Sequence, residues 1–386
     1  MSMKNIKFTG LLTRKKAVRY LIYVLFVCAF AVFVIKLNQV EKTELVVRTG
    51  QTFEKAKVVK ILQDNLEENG TRVGEQKVRV RMLTGVRKGE ELDITSSSGY
   101  LFGAACKPGM KVIVMQSVAG DSTVASVYTQ DREGVIYIFA LIYLLVLCLI
   151  GGKQGIKGCL GLVFTFFCVI FVYLPLVYLK YSPFWTAVFV CFITTLVTMY
   201  LIGGPTQKTC AATLGTLVGV ILAGVSAWCF SKASGISGYN VSDIETLMTL
   251  WNTNRIQVGG LLFSGLLISC LGAVMDVAMS ISSAIDEIYR QNLSLSRKEL
   301  FKAGLRVGRD MMGTDSNTLI LAFAGSSVST LLLDYSYNLP YQQIINSNNI
   351  GIAIMQGLAG SFGIVLCVPL TVLICAFLFH KKETVS

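Results

Sequence analysis

Asp276 stands alone in an apolar part of the sequence, with no charged residue between Arg255 and itself. The next acidic residue, Asp286, follows ten positions later, which is about 15 Å along an α-helix. Ser280 and Ser283 lie four and seven positions after Asp276 and therefore share its helix face. A carboxyl group that has hydroxyl neighbours but no basic partner favours the neutral acid and can exchange a proton. Asp276 is thus a candidate proton or ion site.

A second polar cluster, GRDMMGTDSNT (308–318), follows after a basic segment. Arg309 and Asp310 are predicted to form a charge cluster at the cytoplasmic edge of the membrane. Further polar residues enter the next apolar segment and could complete a site with Asp276 for a proton, Na⁺ or a small polar group: Thr314, Asp315, Asn317 and Thr318. The same residues could instead form a hydrogen-bonded clasp between two helices.

The sequence contains few residues of the kinds that enzymatic or metal-dependent chemistry requires. The only histidine is His380, near the C-terminus, and none of the eleven cysteines has metal-ligand spacing. Cys106 is the only cysteine in a soluble segment, so no disulfide framework is predicted there. We therefore expect no catalytic residues, no metal and no cofactor.

The elements that must position these residues are apolar helices. Of 386 residues, 53% are hydrophobic and 15% are charged, and the mean hydropathy is +0.61. Long apolar runs can each cross a hydrocarbon core of about 30 Å. The sequence predicts an all-α polytopic membrane protein with eight spans: 20–35, 135–151, 158–179, 184–202, 209–230, 258–285, 311–333 and 351–379.

Lysine and arginine residues concentrate in alternate loops, which predicts that both termini are cytoplasmic. The net charge of +12 is therefore interpreted as a topology signal, and nucleic acid is not an expected partner. The bilayer is the expected partner, and the plasma membrane is the expected location.

Residues 41–133 have a soluble composition and separate the first anchor (1–40) from the membrane domain (134–386). Alternating pieces such as KVRVRMLTG, divided by glycine-containing turns, predict five or six short strands. They would form a small extracytoplasmic barrel of the OB or SH3-like kind. Tyr100, Phe102 and Tyr128 could form a stacking surface, although core positions are favoured.

Three further features concern the packing of the helices. Glycines at 215 and 219, and at 357, 360 and 363, predict close helix contacts. Pro175 and Pro369 predict kinks. In residues 294–310, Ser296 lies three positions before Glu299, a capping-box spacing, and the segment predicts an amphipathic helix, either on the inner leaflet or as an ordinary cytoplasmic loop helix.

The chain resembles the YibE/F family in GAVMDVAMSISSAIDEI (272–288), GRDMMGTDSNTLILAFAGSS (308–327) and GLAGSFGIVLCVPLT (357–371). That family is essentially uncharacterised, and the resemblance implies a multi-pass membrane protein with a homo-oligomeric or paralogous YibE/F partner. The chain also resembles, more faintly, the membrane half of resistance–nodulation–division and Sec-accessory exporters, which implies a proton-relay role for Asp276.

Two functions are consistent with these observations. The first is a proton- or ion-coupled transporter or permease of an unknown small solute or ion, with Asp276 as the titrating group. The second is a non-transporting scaffold or assembly factor whose outer domain binds a partner. In a transporter Asp276 should face water, whereas in a scaffold it should be sealed and hydrogen-bonded.

Overall fold

A computed structural model describes residues 14–40, 50–67, 71–97, 103–119, 122–241 and 243–379. Tyr100, Phe102 and His380 lie outside the described residues. The chain divides into two compact units, Thr43–Ile150 on the one hand and Met1–Lys42 with Gly151–Ser386 on the other.

The first unit contains a closed five-stranded barrel. Its strands are β1 (Gln51–Gln63), β2 (Glu75–Met82), β3 (Glu91–Ser97), β4 (Lys111–Ala119) and β5 (Ser122–Gln130). Their order around the barrel is β1-β2-β3-β5-β4, and β3 with β5 is the parallel pair. This Greek-key order is that of the OB fold, so the SH3-like alternative is wrong.

Alternation along the strands builds the barrel core. In β2, Val78, Val80 and Met82 are buried while the residues between them face outward. Cys106 lies in the same core, and its backbone N–H donates to the Gln76 side chain at 2.8 Å. Tyr128 is exposed and packs edge-on against Phe53, with ring centroids 5.1 Å apart. The prediction that Tyr128 belongs to the core is therefore wrong.

The remaining elements are helical. They comprise α1 (Arg14–Leu37), α2 (Glu133–Cys168), a π-helical turn (Val169–Tyr173), α3 (Leu174–Tyr178), α4 (Pro183–Gly203), α5 (Gln207–Ser234), α6 (Ile244–Asn254), α7 (Leu261–Gln291), α8 (Arg297–Ser326), α9 (Val328–Ser336), α10 (Tyr341–Ile345) and α11 (Asn348–Phe379). The sequence did not predict the short helices α6 and α10.

Among the described residues, five helical segments are long and apolar enough to cross a membrane, and a sixth is reached if the bent pair α8–α9 is one span. The predicted second and third spans form one continuous segment, Glu133–Tyr178. Within α2, Gly152 is the residue with non-helical geometry (φ 52°, ψ −131°), so the predicted loop at 152–157 is largely helical. The first predicted span contributes a shorter apolar helix, Val27–Leu37.

Helix α8 corrects the prediction of a separate amphipathic helix at 294–310. The predicted capping box is present, since the Ser296 hydroxyl accepts from the Glu299 N–H and the Glu299 carboxylate accepts from the Ser296 N–H. From that cap the helix runs without interruption to Ser326, and a 56° bend then leads into α9. The helix continues past residue 310 because Gly304 and Gly308 pack it against α7 and α11, and GRDMMGTD contains no proline to end it.

Glycines hold α5, α7 and α11 together, as the sequence predicts. A Cβ added at Gly363 would lie 2.9 Å from the Gly219 carbonyl oxygen, and one at Gly219 would lie 2.5 Å from Val274. Such contacts require hydrogen in place of a side chain. The three helices therefore form the core against which α4 and α8 pack.

Candidate functional site

Two glycines let α8 lie directly against α7 and α11. A Cβ at Gly304 would lie 2.6 Å from Cδ1 of Ile285 and 2.9 Å from Cγ1 of Val372. Gly308 is packed in the same way against Val368. This contact fixes the polar residues that follow on α8 beside the Asp276 face of α7.

Asp276 lies on the exposed surface of the helical unit, on a helix of 31 residues that is apolar enough to span a membrane. Within the described part of the chain it has no hydrogen bond and no ion pair. The Asp315 carboxyl lies within electrostatic range of it. The structure thus brings together the two carboxyls that the sequence placed in separate motifs.

The hydroxyl and amide residues of the predicted site form no hydrogen bond with these acids within the described residues. Ser283 and Asp315 are half-buried, and the other members are exposed: Ser280, Thr314, Asn317 and Thr318. The Thr318 hydroxyl donates to the Thr314 carbonyl at 3.0 Å, within its own helix. Among the described residues, no hydrogen bond joins the members of this set on α8 to those on α7. The predicted clasp is therefore not formed by this set.

The hydrogen bond that does cross to α8 involves two residues that the sequence did not single out. The Ser361 hydroxyl on α11 lies 3.3 Å from the Ser316 carbonyl and 2.8 Å from the Gly357 carbonyl. The Ser316 hydroxyl oxygen is buried and has no partner within the described residues. The signal for Ser361 was its place between glycines in GLAGSFG, where a small polar residue can meet a neighbouring backbone.

At the basic end of α8, Arg309 and Asp310 are both exposed. No salt bridge joins them in the described structure. The ion pair of this region lies one helix earlier, between Arg290 and Asp286 at 3.0 Å. The described residues contain no group of three or more metal-ligating side chains that could hold a metal ion.

An OB-type barrel joined to a bundle of membrane-length apolar helices, with an unpaired acid on one of them, defines a multi-pass membrane protein. The family model described as YibE/F-like protein matches residues 139–381. The chain belongs to this family. No curated protein and no solved structure matches the chain, so nothing here supports the fainter likeness to resistance–nodulation–division exporters.

Proposed function

We propose that this protein is a proton- or ion-coupled transporter or permease for a small solute or ion, with Asp276 as the group that takes up the coupling cation. The observation that carries the proposal is the exposed Asp276, which has no bond within the described residues and has Asp315 in electrostatic range. Two neighbouring carboxyls without a basic partner attract a proton or a metal cation. Ser280, Ser283, Thr314, Asn317 and Thr318 supply further oxygen ligands, and no residue is assigned a catalytic role.

The alternative is a scaffold or assembly factor, and the barrel favours it, because OB folds commonly present a ligand-binding face. A scaffold would use its membrane acid as a sealed, hydrogen-bonded structural element. The lack of any bond to Asp276 among the described residues supports the transporter instead.

We place the protein in the plasma membrane with eight spans, both termini in the cytoplasm and the barrel outside. The support is the distribution of basic residues. Lys153, Lys157 and Lys208 fall in segments predicted to be inside, together with the basic stretch 297–309. The two spans within Glu133–Tyr178 would meet at the non-helical Gly152.

We propose that the functional unit contains a second chain, either another copy or a paralogous YibE/F subunit. Asn317 and Thr318 are exposed on α8, which is not apolar enough to cross a membrane without α9, and α9 has no buried residue. Polar residues at membrane depth normally face protein or water rather than lipid. Native mass spectrometry in mild detergent should therefore show complexes larger than the 42.1 kDa chain.

Labelling with dicyclohexylcarbodiimide tests the proposed role of Asp276, because this reagent enters lipid and modifies protonated carboxyls. Full-length protein in nanodiscs should be modified at Asp276 near neutral pH, and Asp286 and Asp310 should serve as unmodified internal controls. Modification should decrease as the pH rises, and Asp276→Asn should abolish it. If Na⁺ protects Asp276, the coupling ion is Na⁺ rather than a proton. If Asp276 is not modified at any pH, with or without Na⁺, the proposed role of Asp276 is wrong.

A further inference from the structure

The barrel carries six basic residues in cross-strand register on one outer face. Lys57 of β1 lies opposite Arg81 of β2 and Lys111 of β4, and the next rows pair Lys60 with Arg79 and Gln63 with Lys77. Residues that are opposite each other in neighbouring strands point to the same side of a sheet. We call this surface the basic face: Lys57, Lys60, Lys77, Arg79, Arg81 and Lys111.

The two arginines of the basic face are neutralised and the four lysines are not. Arg79 forms a two-pronged bond with Asp93 at 2.6 and 2.8 Å, and Arg81 contacts Glu91 at 2.8 Å. The hydrogen bond from Arg79 holds the pKa of Asp93 below its ordinary value. Within the described residues no acidic group pairs with the lysines, which are all exposed: Lys57, Lys60, Lys77 and Lys111.

This arrangement is unfavourable for the barrel by itself. Like charges directly opposite each other, as at Lys57 and Lys111, destabilise a strand pair. Lysines often protect open sheet edges from pairing with other chains. That explanation does not apply here, because the barrel is closed and has no free edge. An external anion would remove the repulsion.

The position of the basic face in the chain indicates which anion is available. Strand β5 ends at Gln130 and α2 begins at Glu133. The N–H of Asp131 donates to the Lys111 carbonyl at 3.0 Å, and the Lys55 ammonium forms an ion pair with Glu133. The following residues of α2 are apolar and exposed, from Val135 (70%) to Ile150 (84%), as in a helix surrounded by lipid. Lys111 therefore lies beside the start of a helix that is long and apolar enough to cross a membrane.

We infer that the basic face binds the phosphate headgroups of anionic phospholipids in the leaflet that α2 enters. Four unpaired lysines provide the charge complementarity, and each lysine near an anionic membrane surface adds to the attraction. This assigns the barrel a lipid-binding role that is independent of the proposed transport.

Amine footprinting tests the inference residue by residue. Full-length protein is placed in nanodiscs of phosphatidylcholine, with or without phosphatidylglycerol, and treated with an acylating ester. Mass spectrometry then gives the rate at each lysine. Acylation of Lys57 and Lys111 should slow by about threefold or more in the anionic discs. About 1 M salt, which shortens the Debye length to about 3 Å, should restore it. Lys88, in the β2–β3 turn outside the basic face, is the control and should react equally in both discs.

Three results would overturn the inference. Equal rates at Lys57 and Lys111 in the two discs would show that no headgroup is bound. Equal protection of Lys88 would show non-specific attraction to the membrane. Protection by a soluble sulfated polysaccharide, but not by anionic discs, would assign the face to a polyanion. Two variants test the same point through the phosphatidylglycerol that stays bound to the protein. The double variant Lys57→Gln/Lys111→Gln should retain less of this lipid than the parent, and Lys88→Gln should retain as much as the parent.

Discussion

The side-chain amide of Asn38 donates to the carbonyl oxygen of Phe171 at 2.8 Å, across 133 positions of sequence. Pro175 has no N–H to offer that carbonyl four residues earlier, and the chain forms a π-helical turn there. The same amide donates to the Val34 carbonyl at 2.8 Å. Asn38 thus ties the end of α1 to the irregular turn.

Replacing Asn38 by alanine should weaken this connection by about 1 kcal/mol, the typical net value of such a bond. The apparent melting temperature of the full chain in detergent should fall. Gln39→Ala, which changes the exposed neighbour, is the control and should have no effect. Equal melting temperatures for the two variants would mean that the Asn38 bond does not stabilise the docked α1.

Gly363→Ala should destabilise the helical core by about 1–3 kcal/mol through overpacking. The new methyl would lie 2.8 Å from Cβ of Ala223 and 2.9 Å from the Gly219 carbonyl oxygen. Gly265→Ala on α7 is the matched control, because a Cβ there meets nothing within 4 Å. Thermal unfolding should separate the two variants, with Gly265→Ala as stable as the parent or slightly more so. Similar losses in both would contradict the close α5–α11 contact.

Ser296→Ala should loosen the first turn of α8 by about 1 kcal/mol, because it removes the capping hydroxyl. Hydrogen exchange of the Glu299 amide should become faster while exchange in the middle of α8 stays unchanged. Ser296→Asp should restore slow exchange, since a carboxylate also caps a helix. Lys298→Ala, next to the cap but not part of it, should leave exchange as it is.

The Cys106 thiol should react with alkylating reagents only when the barrel unfolds. Burial raises the pKa of this thiol, so the thiolate is scarce in the folded state. A raised folded pKa also means that the contribution of Cys106 to stability is complete below its ordinary pKa of about 8.5 and declines above it. Cysteine mapping by mass spectrometry across denaturant and pH should show this. Rapid alkylation of Cys106 in the native protein at pH 7 would contradict it.

Patterns that repeat within one element were well predicted from the sequence. The alternation in KVRVRM predicted the inward face of β2, and the spacing of Ser296 and Glu299 predicted the α8 cap. Gly219 and Gly363 predicted close contacts because hydrogen is the only side chain that fits between touching backbones.

Features that depend on neighbouring elements were not predicted. The charged residues of the KQGIK stretch predict a loop, but within α2 only Gly152 has non-helical geometry and the chain then continues as helix. Helix α8 runs through the predicted membrane edge because its glycines pack against α7 and α11. In the candidate site, the sequence predicted that the Asp276 face of α7 could meet the polar face of α8, and the Asp315 carboxyl lies within electrostatic range of Asp276. The prediction missed Ser361, whose partner is a backbone carbonyl on another helix.

The two-residue connection between β5 and α2 has a mechanical consequence. The Lys55–Glu133 ion pair and the hydrogen bond from the Asp131 N–H to the Lys111 carbonyl both join the barrel to the start of α2. A pull on the barrel is therefore applied to the first turns of that helix as torque. Such a load reaches the helix only as far as Gly152, where the helical geometry is interrupted.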